Sequence, residues 1–334
     1  MSGRTNIEWT DRTWNPTRGC SMARGSETGG CKYCYAARTG LRHKGKGKPY
    51  EGLVRMTENG PRWTGKIELV ESALEDPLHW KTPSRVFVDS MSDLFHEDIP
   101  DEYIDRVFAV MALCSQHTFQ VLTKRAGRLA PFMDHWRSKR TFDLFLAPEP
   151  EYSKRWTGVL NRELDNVWLG VSVENQATAD LRIPALLRAA AAVRFVSYEP
   201  ALGPVEWDAD WLYVKCKYCG RHSHPTRPQW EWNGSVGGRC EFLDCAKPYF
   251  DESLLNWVIT GGESGPDARP FDLAWARNTI AQCREAEVPC FVKQLGARPG
   301  YARKDGWRDI GLKDRKGGDM SEWPEDLRVR EYPK

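Results

Sequence analysis

The sequence predicts an α/β protein, a partial or complete (β/α) barrel of six to seven parallel strands that carries one small insertion with four cysteines. Three observations carry that expectation. Short runs rich in Val, Ile, Phe and Thr alternate with stretches of helical periodicity, as parallel strands do when crossover helices join them. Almost every run ends in polar residues, and in a β/α barrel those strand ends share one ligand-binding face. The rhythm breaks over Pro148 to Glu163, which is irregular and charged, and again over Trp211 to Phe250, which holds the four cysteines.

The runs follow one another as Arg85 to Asp89, Thr118 to Thr123, Val167 to Ser172, Val193 to Tyr198, Trp257 to Thr260 and Pro289 to Lys293, with a first strand expected before Cys20. Between them, Asp101 to Ser115 places Tyr103, Val107, Val110 and Met111 on one helical face, with acids at its amino end where the helix dipole favours them. Ala177 to Ala190 and Asp272 to Ala286 show the same period, and Pro184 is expected to bend or delay the former. The domain expectation is a barrel from residues 1–210 and 251–334, with 211–250 as the insertion.

The strand ends supply the candidate site. They are Asp89-Ser90-Met91-Ser92-Asp93, Thr123-Lys124-Arg125, Ser172-Val173-Glu174, Tyr198-Glu199-Pro200 and Gly261-Gly262-Glu263. Polar residues also open loops and cap helices, but five such endings in series favour a shared site, with Lys124, Glu199 and Glu263 as candidate catalytic groups. Glu263, beside three glycines, binds substrate or ends a strand in a tight turn; both readings stand.

Composition excludes several classes. The 40% apolar and 28% charged residues are those of a soluble globular chain, and no run of apolar residues is long enough to span a bilayer. Met1 to Asp11 is polar and lacks the apolar core of a signal sequence, so a cytoplasmic protein without membrane contact is expected. A net charge of +2 is too balanced to argue for nucleic acid by itself, yet Arg38 to Lys48 carries five Lys or Arg, one His and no acid. That loop is either a solvated segment or a phosphate-contacting one. Fifteen Trp residues are expected mostly in packing.

Ten cysteines without an export signal point to metal or catalysis rather than disulfides, because the cytosol keeps thiols reduced. Cys114, Cys283 and Cys290 stand apart and read as small apolar residues. Cys20 is followed after ten residues by Cys31-Lys32-Tyr33-Cys34. Thiolates ligate iron-sulfur clusters, and three ligands rather than four leave one position open for a substrate. Zinc completed by a fourth ligand such as His43 is the other reading of the same residues.

Asn6-Ile7-Glu8-Trp9-Thr10-Asp11, Trp14-Asn15-Pro16, Gly19-Cys20 and Cys31-x2-Cys34-Tyr35-Ala36 resemble the opening of a phage and mobile-element family of three-cysteine-motif proteins. That family is distantly similar to radical S-adenosylmethionine enzymes, spore photoproduct lyase among them. The resemblance continues through Asp89 to His96, Leu122 to Arg125, Leu169 to Glu174, Glu199-Pro200 and Gly261 to Gly265, nearly the whole chain. The wider superfamily spaces its cysteines as Cys-x3-Cys-x2-Cys, whereas ten residues fill the first interval here; the extra Gly-rich residues are expected to bulge outward, since long loops cost little more than short ones.

The resemblance implies a 4Fe-4S cluster on Cys20, Cys31 and Cys34 whose open iron binds S-adenosylmethionine, with an electron donor such as flavodoxin or ferredoxin as partner. It further implies Tyr33 near the adenine, Ser90, Ser92 and Asp93 about the methionyl amino group, and Ser172 and Glu174 in reach of the ribose. Asp93 reads equally well as a helix cap.

Cys216-x2-Cys219 and Cys240-x4-Cys245, twenty residues apart, match the spacing of a zinc ribbon, with His222 and His224 as possible substitutes for one sulfur. A second iron-sulfur cluster is the alternative. A bound metal would supply folding energy to a segment with little else to bury. The insertion's basic and aromatic residues, Trp230 and Trp232 among them, suit either nucleic-acid contact or a structural staple. The leading expectation is a radical enzyme acting on a nucleic acid or nucleotide, in modification or repair. A non-catalytic, metal-stabilised nucleic-acid-binding protein is its rival.

Overall fold

The computed structural model describes residues 3–26, 29–138, 164–216, 222–223, 250–251 and 254–333. The chain divides into two compact units, Met1–Val193 and Arg194–Lys334. Both are mixed α/β, and their main strands are mostly parallel.

In the first unit, β1 (Gly3–Arg4), β2 (Arg12–Trp14), β3 (Thr17–Arg18), α1 (Tyr35–Arg42), β4 (Val54–Thr57), β5 (Gly60–Trp63), β6 (Glu68–Leu69) and α2 (Glu71–Leu74) lead into β7 (Arg85–Val88). Then follow α3 (Asp101–Leu113), β8 (Thr118–Thr123), α4 (Leu129–Ser138), β9 (Val167–Val173) and α5 (Gln176–Leu187). The strand order is β1-β2-β7-β8-β9, with β1 antiparallel and the rest parallel. Val86, Val88, Phe119, Val121, Leu169, Val171 and Val173 are buried, the signature of parallel strands covered on both faces. Each such side chain contributes about 1.5–3 kcal/mol by leaving water.

Helix α3 buries Tyr103, Val107, Val110 and Met111 as its period requires. Its Phe108 packs against Phe132 and Trp136 of α4. Helix α5 opens with a reciprocal capping box between Asn175 and Thr178. Pro184 does not delay or stop it: the helix runs on to Leu187, with Ile183, Ala185 and Leu186 buried around the proline, so packing outweighs the lost hydrogen bond.

The second unit holds β10 (Val193–Tyr198), α6 (Ala209–Leu212), β11 (Val214–Cys216), β12 (His222–Ser223), β13 (Phe250–Asp251), β14 (Trp257–Gly261), β15 (Phe271–Asp272), α7 (Leu273–Glu285), β16 (Cys290–Gln294), β17 (Pro299–Arg303) and β18 (Gly306–Asp309). Strands β10, β14 and β16 are parallel neighbours in that order. Strands β12-β11-β13 form a separate antiparallel sheet. Asp272 caps α7 by accepting the Ala274 N–H.

Seven parallel strands, β2, β7, β8, β9, β10, β14 and β16, stand where the sequence places them, within two residues at either end of each run it names. No strand pair among the described residues closes either row into a barrel. Most of the expected insertion at 211–250 lies outside the described residues, as does the irregular segment 148–163. Cys114, Cys283 and Cys290 are buried and form no disulfide, as small apolar residues should be.

Candidate functional site

The loops that follow β2 and β7 are sewn together before any cysteine is reached. Asn15 Oδ1 accepts the Ser90 hydroxyl at 3.1 Å and the Met91 N–H at 3.0 Å. Thr17 donates its N–H and its hydroxyl to the two Asp89 oxygens, at 3.1 and 2.9 Å, and its hydroxyl meets Ser92 Oγ at 2.6 Å. Asp89 holds φ at +58°, a left-handed conformation that a non-glycine residue keeps only when its surroundings fix it. Burial pushes its carboxyl up to about 7, outweighing the hydrogen bonds from Thr17 and Ser92. Gly19 has φ of +87°, and a Cβ there would stand 2.1 Å from the Lys66 carbonyl oxygen, so only glycine delivers the chain to Cys20.

The three thiols are partly buried and form no disulfide. Cys34 is the N-cap of α1 and accepts the Ala37 N–H at 3.5 Å, where the helix dipole favours a thiolate. Cys20 receives Nη1 of Arg125 at 3.8 Å and lies within electrostatic reach of Cys31 and Cys34. Burial pushes the Cys20 and Cys34 thiols up, so a cationic centre is what would hold them as thiolates. Among the described residues no three His, Cys, Asp or Glu side chains converge as the ligands of a single ion. Three cysteines on three separate irons of a cubane cluster do not need that convergence, and the donor set is the one such a cluster uses.

Around Cys20 the charged groups interlock. Arg125 gives Nε to Glu97 at 2.7 Å, Nη1 to Asp93 at 3.1 Å, and Nη2 to the Ser21 hydroxyl at 2.8 Å and carbonyl at 3.2 Å. Ser21 Oγ also meets Nε2 of the buried His96 at 2.7 Å, while Nδ1 of that ring accepts the Asp98 N–H. Nε2 therefore carries the proton, and burial, helped by Arg125, lowers the pKa of the imidazole and keeps it neutral. Asp93 accepts from Phe95 N, Thr123 Oγ1, Lys124 N and Arg125, which fills both oxygens. It caps a turn rather than a helix, and it fixes the two residues that end β8.

A second knot lies at the end of β9. Lys124 Nζ reaches Ser172 Oγ at 2.5 Å and Glu174 Oε1 at 2.7 Å, and Glu174 Oε2 takes Nη1 of Arg182 at 2.9 Å. Glu174 and Arg182 are 0% and 1% exposed. Opposing charge from Lys124 and Arg182 overcomes burial and lowers the Glu174 pKa. The ten residues between Cys20 and Cys31 end in this knot: Ser26 Oγ donates to Glu174 at 3.4 Å and meets Arg182 Nη2 at 2.7 Å, Gly30 N–H donates to Glu174 at 3.4 Å, and Arg182 reaches the Arg24 carbonyl. A Cβ on Gly29 would sit 3.4 Å from the Glu174 carboxyl carbon. The expected outward bulge is thus corrected for Ser26 and Gly30, which are tied inward to a buried ion pair because their polar groups find partners there.

In the second unit the strand ends carry two ion pairs. Lys293 Nζ meets Glu199 at 2.7 Å, and Arg269 grips Glu263 with Nε at 2.9 Å, Nη2 at 2.8 Å and its own backbone N–H at 3.1 Å. Glu263 thereby closes its own glycine-rich turn. Tyr33 is partly buried with Lys32 over its ring.

Lys124, Asp93, Ser172 and Glu174 are brought together with the loop that bears the cysteines, and Ser90 and Ser92 brace that loop from β7. Sequence reasoning alone does not single out Arg125, Arg182, His96 or Asp89 as working residues. Arg182 carries a signal nonetheless: it falls on the Thr178, Ala179, Ala185, Leu186 face of α5, where a charge needs a buried partner. Cys219, Cys240, Cys245, His224, Trp230 and Trp232 lie outside the described residues; Cys216 ends β11 and His222 begins β12.

Residues 4–316 match the model of the family described as "Protein of unknown function (DUF5131)", and the chain belongs to that family. No curated protein and no solved structure matches the chain. No helix among the described residues is long and apolar enough to cross a membrane.

Proposed function

We propose that this protein is a cytoplasmic radical S-adenosylmethionine enzyme on a partial or complete (β/α) barrel, with a 4Fe-4S cluster on Cys20, Cys31 and Cys34 and a nucleic acid or nucleotide as substrate. One observation carries the proposal: three free thiols, one on a helix N-terminus and one against an arginine N–H, share a loop that the ends of β8 and β9 anchor through buried charge. Cys20, Cys31 and Cys34 would hold the cluster, which when bound would supply one-electron reduction of S-adenosylmethionine, with the electron drawn from a flavodoxin or ferredoxin and the S–C5′ bond broken to give methionine and a 5′-deoxyadenosyl radical.

The protein's own residues bind and orient. Arg125 holds Cys20 against Asp93 and supplies positive charge beside its sulfur. Asp93 accepts two hydrogen bonds at each oxygen and Glu174 is enclosed between Lys124 and Arg182, so they act as positioning residues, a narrower role than methionyl or ribose contact. Ser90 and Lys124 keep capacity toward a ligand, Ser172 stands beside the Lys124 ammonium, and Tyr33 offers a ring for the adenine. Glu199 and Glu263 stand as substrate-side groups. Cys216, Cys219, Cys240 and Cys245 keep their zinc assignment on spacing.

Anaerobic reconstitution with iron and sulfide, then reduction with S-adenosylmethionine, tests the reading. It expects 5′-deoxyadenosine from the parent protein; a protein that takes up iron yet never forms that product would overturn it.

A further inference from the structure

Residues 32–66 form a module of their own within the first unit. Helix α1, the loop after it and the β4–β5 hairpin close on a small core of Ala36, Ala37, Tyr50, Leu53 and Val54, with Trp63 and Leu41 at its edge. Gly40 lets the helix meet the Trp63 ring, because a Cβ there would already stand 3.2 Å from it. The module is fixed to the site at both levels of structure. Cys34 caps its helix, Met91 from the loop after β7 enters its core, and the Tyr35 hydroxyl donates to the Ser90 carbonyl at 2.6 Å.

The charge of this module differs from that of the whole chain. It contains nine Lys or Arg against two Glu, a net +7 in a protein of net +2, so everything else nets −5. Six of those cations, Arg42, Lys44, Lys46, Lys48, Arg55 and Lys66, are exposed and have no ion-pair partner among the described residues. One of the two acids is also engaged, since Glu51 accepts the Gly47 N–H at 2.7 Å. Lys44, Lys46 and Lys48 alternate with Gly45 and Gly47, so three ammonium groups stand along that turn beside one carboxylate, Glu51. A solvated face on a near-neutral protein carries mixed signs; a single-sign field of this size suits a polyanion.

We propose that residues 32–66 are the surface on which the phosphate backbone of a nucleic acid docks, delivering the polymer beside the cysteine loop. This deepens the substrate class in the reading above and rests on it for why a polymer should be brought there. Repeating phosphates match a row of unneutralised cations, and the energy comes from the counterions they release. The apolar side chains exposed on the module, Tyr35 and Met56, are single residues and leave the surface electrostatic in character.

The test uses the full chain without iron, so it does not depend on radical chemistry. Binding of a labelled short DNA duplex is followed by fluorescence anisotropy across a salt series. The quadruple variant Arg42→Gln, Lys44→Gln, Lys46→Gln, Lys48→Gln is expected to bind about tenfold or more weakly at low salt, with a slope of log K against log salt that is shallower by about 0.9 for each phosphate that is no longer neutralised. Arg303→Gln with Lys304→Gln, exposed on β17 and the turn after it, should match the parent protein. Absence of parent binding at low salt, an unchanged slope in the quadruple variant, or equal weakening in the control pair would each overturn the proposal. Failure here with 5′-deoxyadenosine still formed would leave the radical enzyme standing and remove only this docking surface.

Discussion

The strand ends of the two units look alike in sequence and are wired differently. In the first unit Lys124, Arg125, Ser172 and Glu174 join the cysteine loop through a continuous set of charged hydrogen bonds, two of whose members, Glu174 and Arg182, are fully enclosed. In the second, Glu199 pairs with Lys293 and Glu263 with Arg269, at 8–23% exposure. A polar strand end is thus a signal of position, and only its partners show whether it builds a site or finishes a turn. Connected groups of this kind are worth more together than apart, because each buried charge depends on the next.

That contrast can be broken most severely at the ligands. Cys20→Ala, Cys31→Ala or Cys34→Ala should abolish iron uptake and 5′-deoxyadenosine formation, while Cys114→Ala, a buried site on the far end of α3, should keep both. Iron analysis after anaerobic reconstitution decides it, and equal loss in all four would mean misfolding rather than ligation.

Removing a carboxylate should separate the units next. Glu174→Gln leaves Lys124 and Arg182 without their counter-charge in a closed site and should cost about 3–5 kcal/mol in denaturant unfolding. Glu263→Gln faces a partly exposed Arg269 and should cost about 1 kcal/mol or less. Comparable losses would dissolve the distinction between the two regions. Limited proteolysis should also find the Cys20–Cys31 loop opened in the first variant alone.

The strands and the long helices were legible because their signal is local: β-branched runs and a helical period survive in one dimension. The three thiols and the polar strand ends were legible for the same reason. Arg125 and Arg182 were not, since each gains its meaning from partners far away in the chain, Cys20 and Asp93 for one, Ser26 and Glu174 for the other. The ten-residue cysteine interval misled in the same way. Loop entropy permits an outward bulge, but Ser26 and Gly30 had a buried acceptor waiting.

A smaller effect concerns pH. Asp89 titrates near 7 in the folded chain and near 3.9 when unfolded, so folding takes up a proton between those values. Its contribution to stability is fully present below the unfolded value and is lost as pH rises through about 7. Asp89→Asn should therefore flatten the fall in stability between about pH 4 and pH 7, measured as the difference from the parent protein in urea. An unchanged pH profile would show that Asp89 is ionised throughout.

The central claim, three thiols holding a cluster with one open iron, is tested most directly by electron paramagnetic resonance of the reduced, reconstituted protein before and after addition of S-adenosylmethionine. The account predicts about four irons per chain on this site and a cluster signal that changes when the cosubstrate occupies the open position. A protein that binds only zinc, or a cluster signal that S-adenosylmethionine leaves untouched, would contradict it.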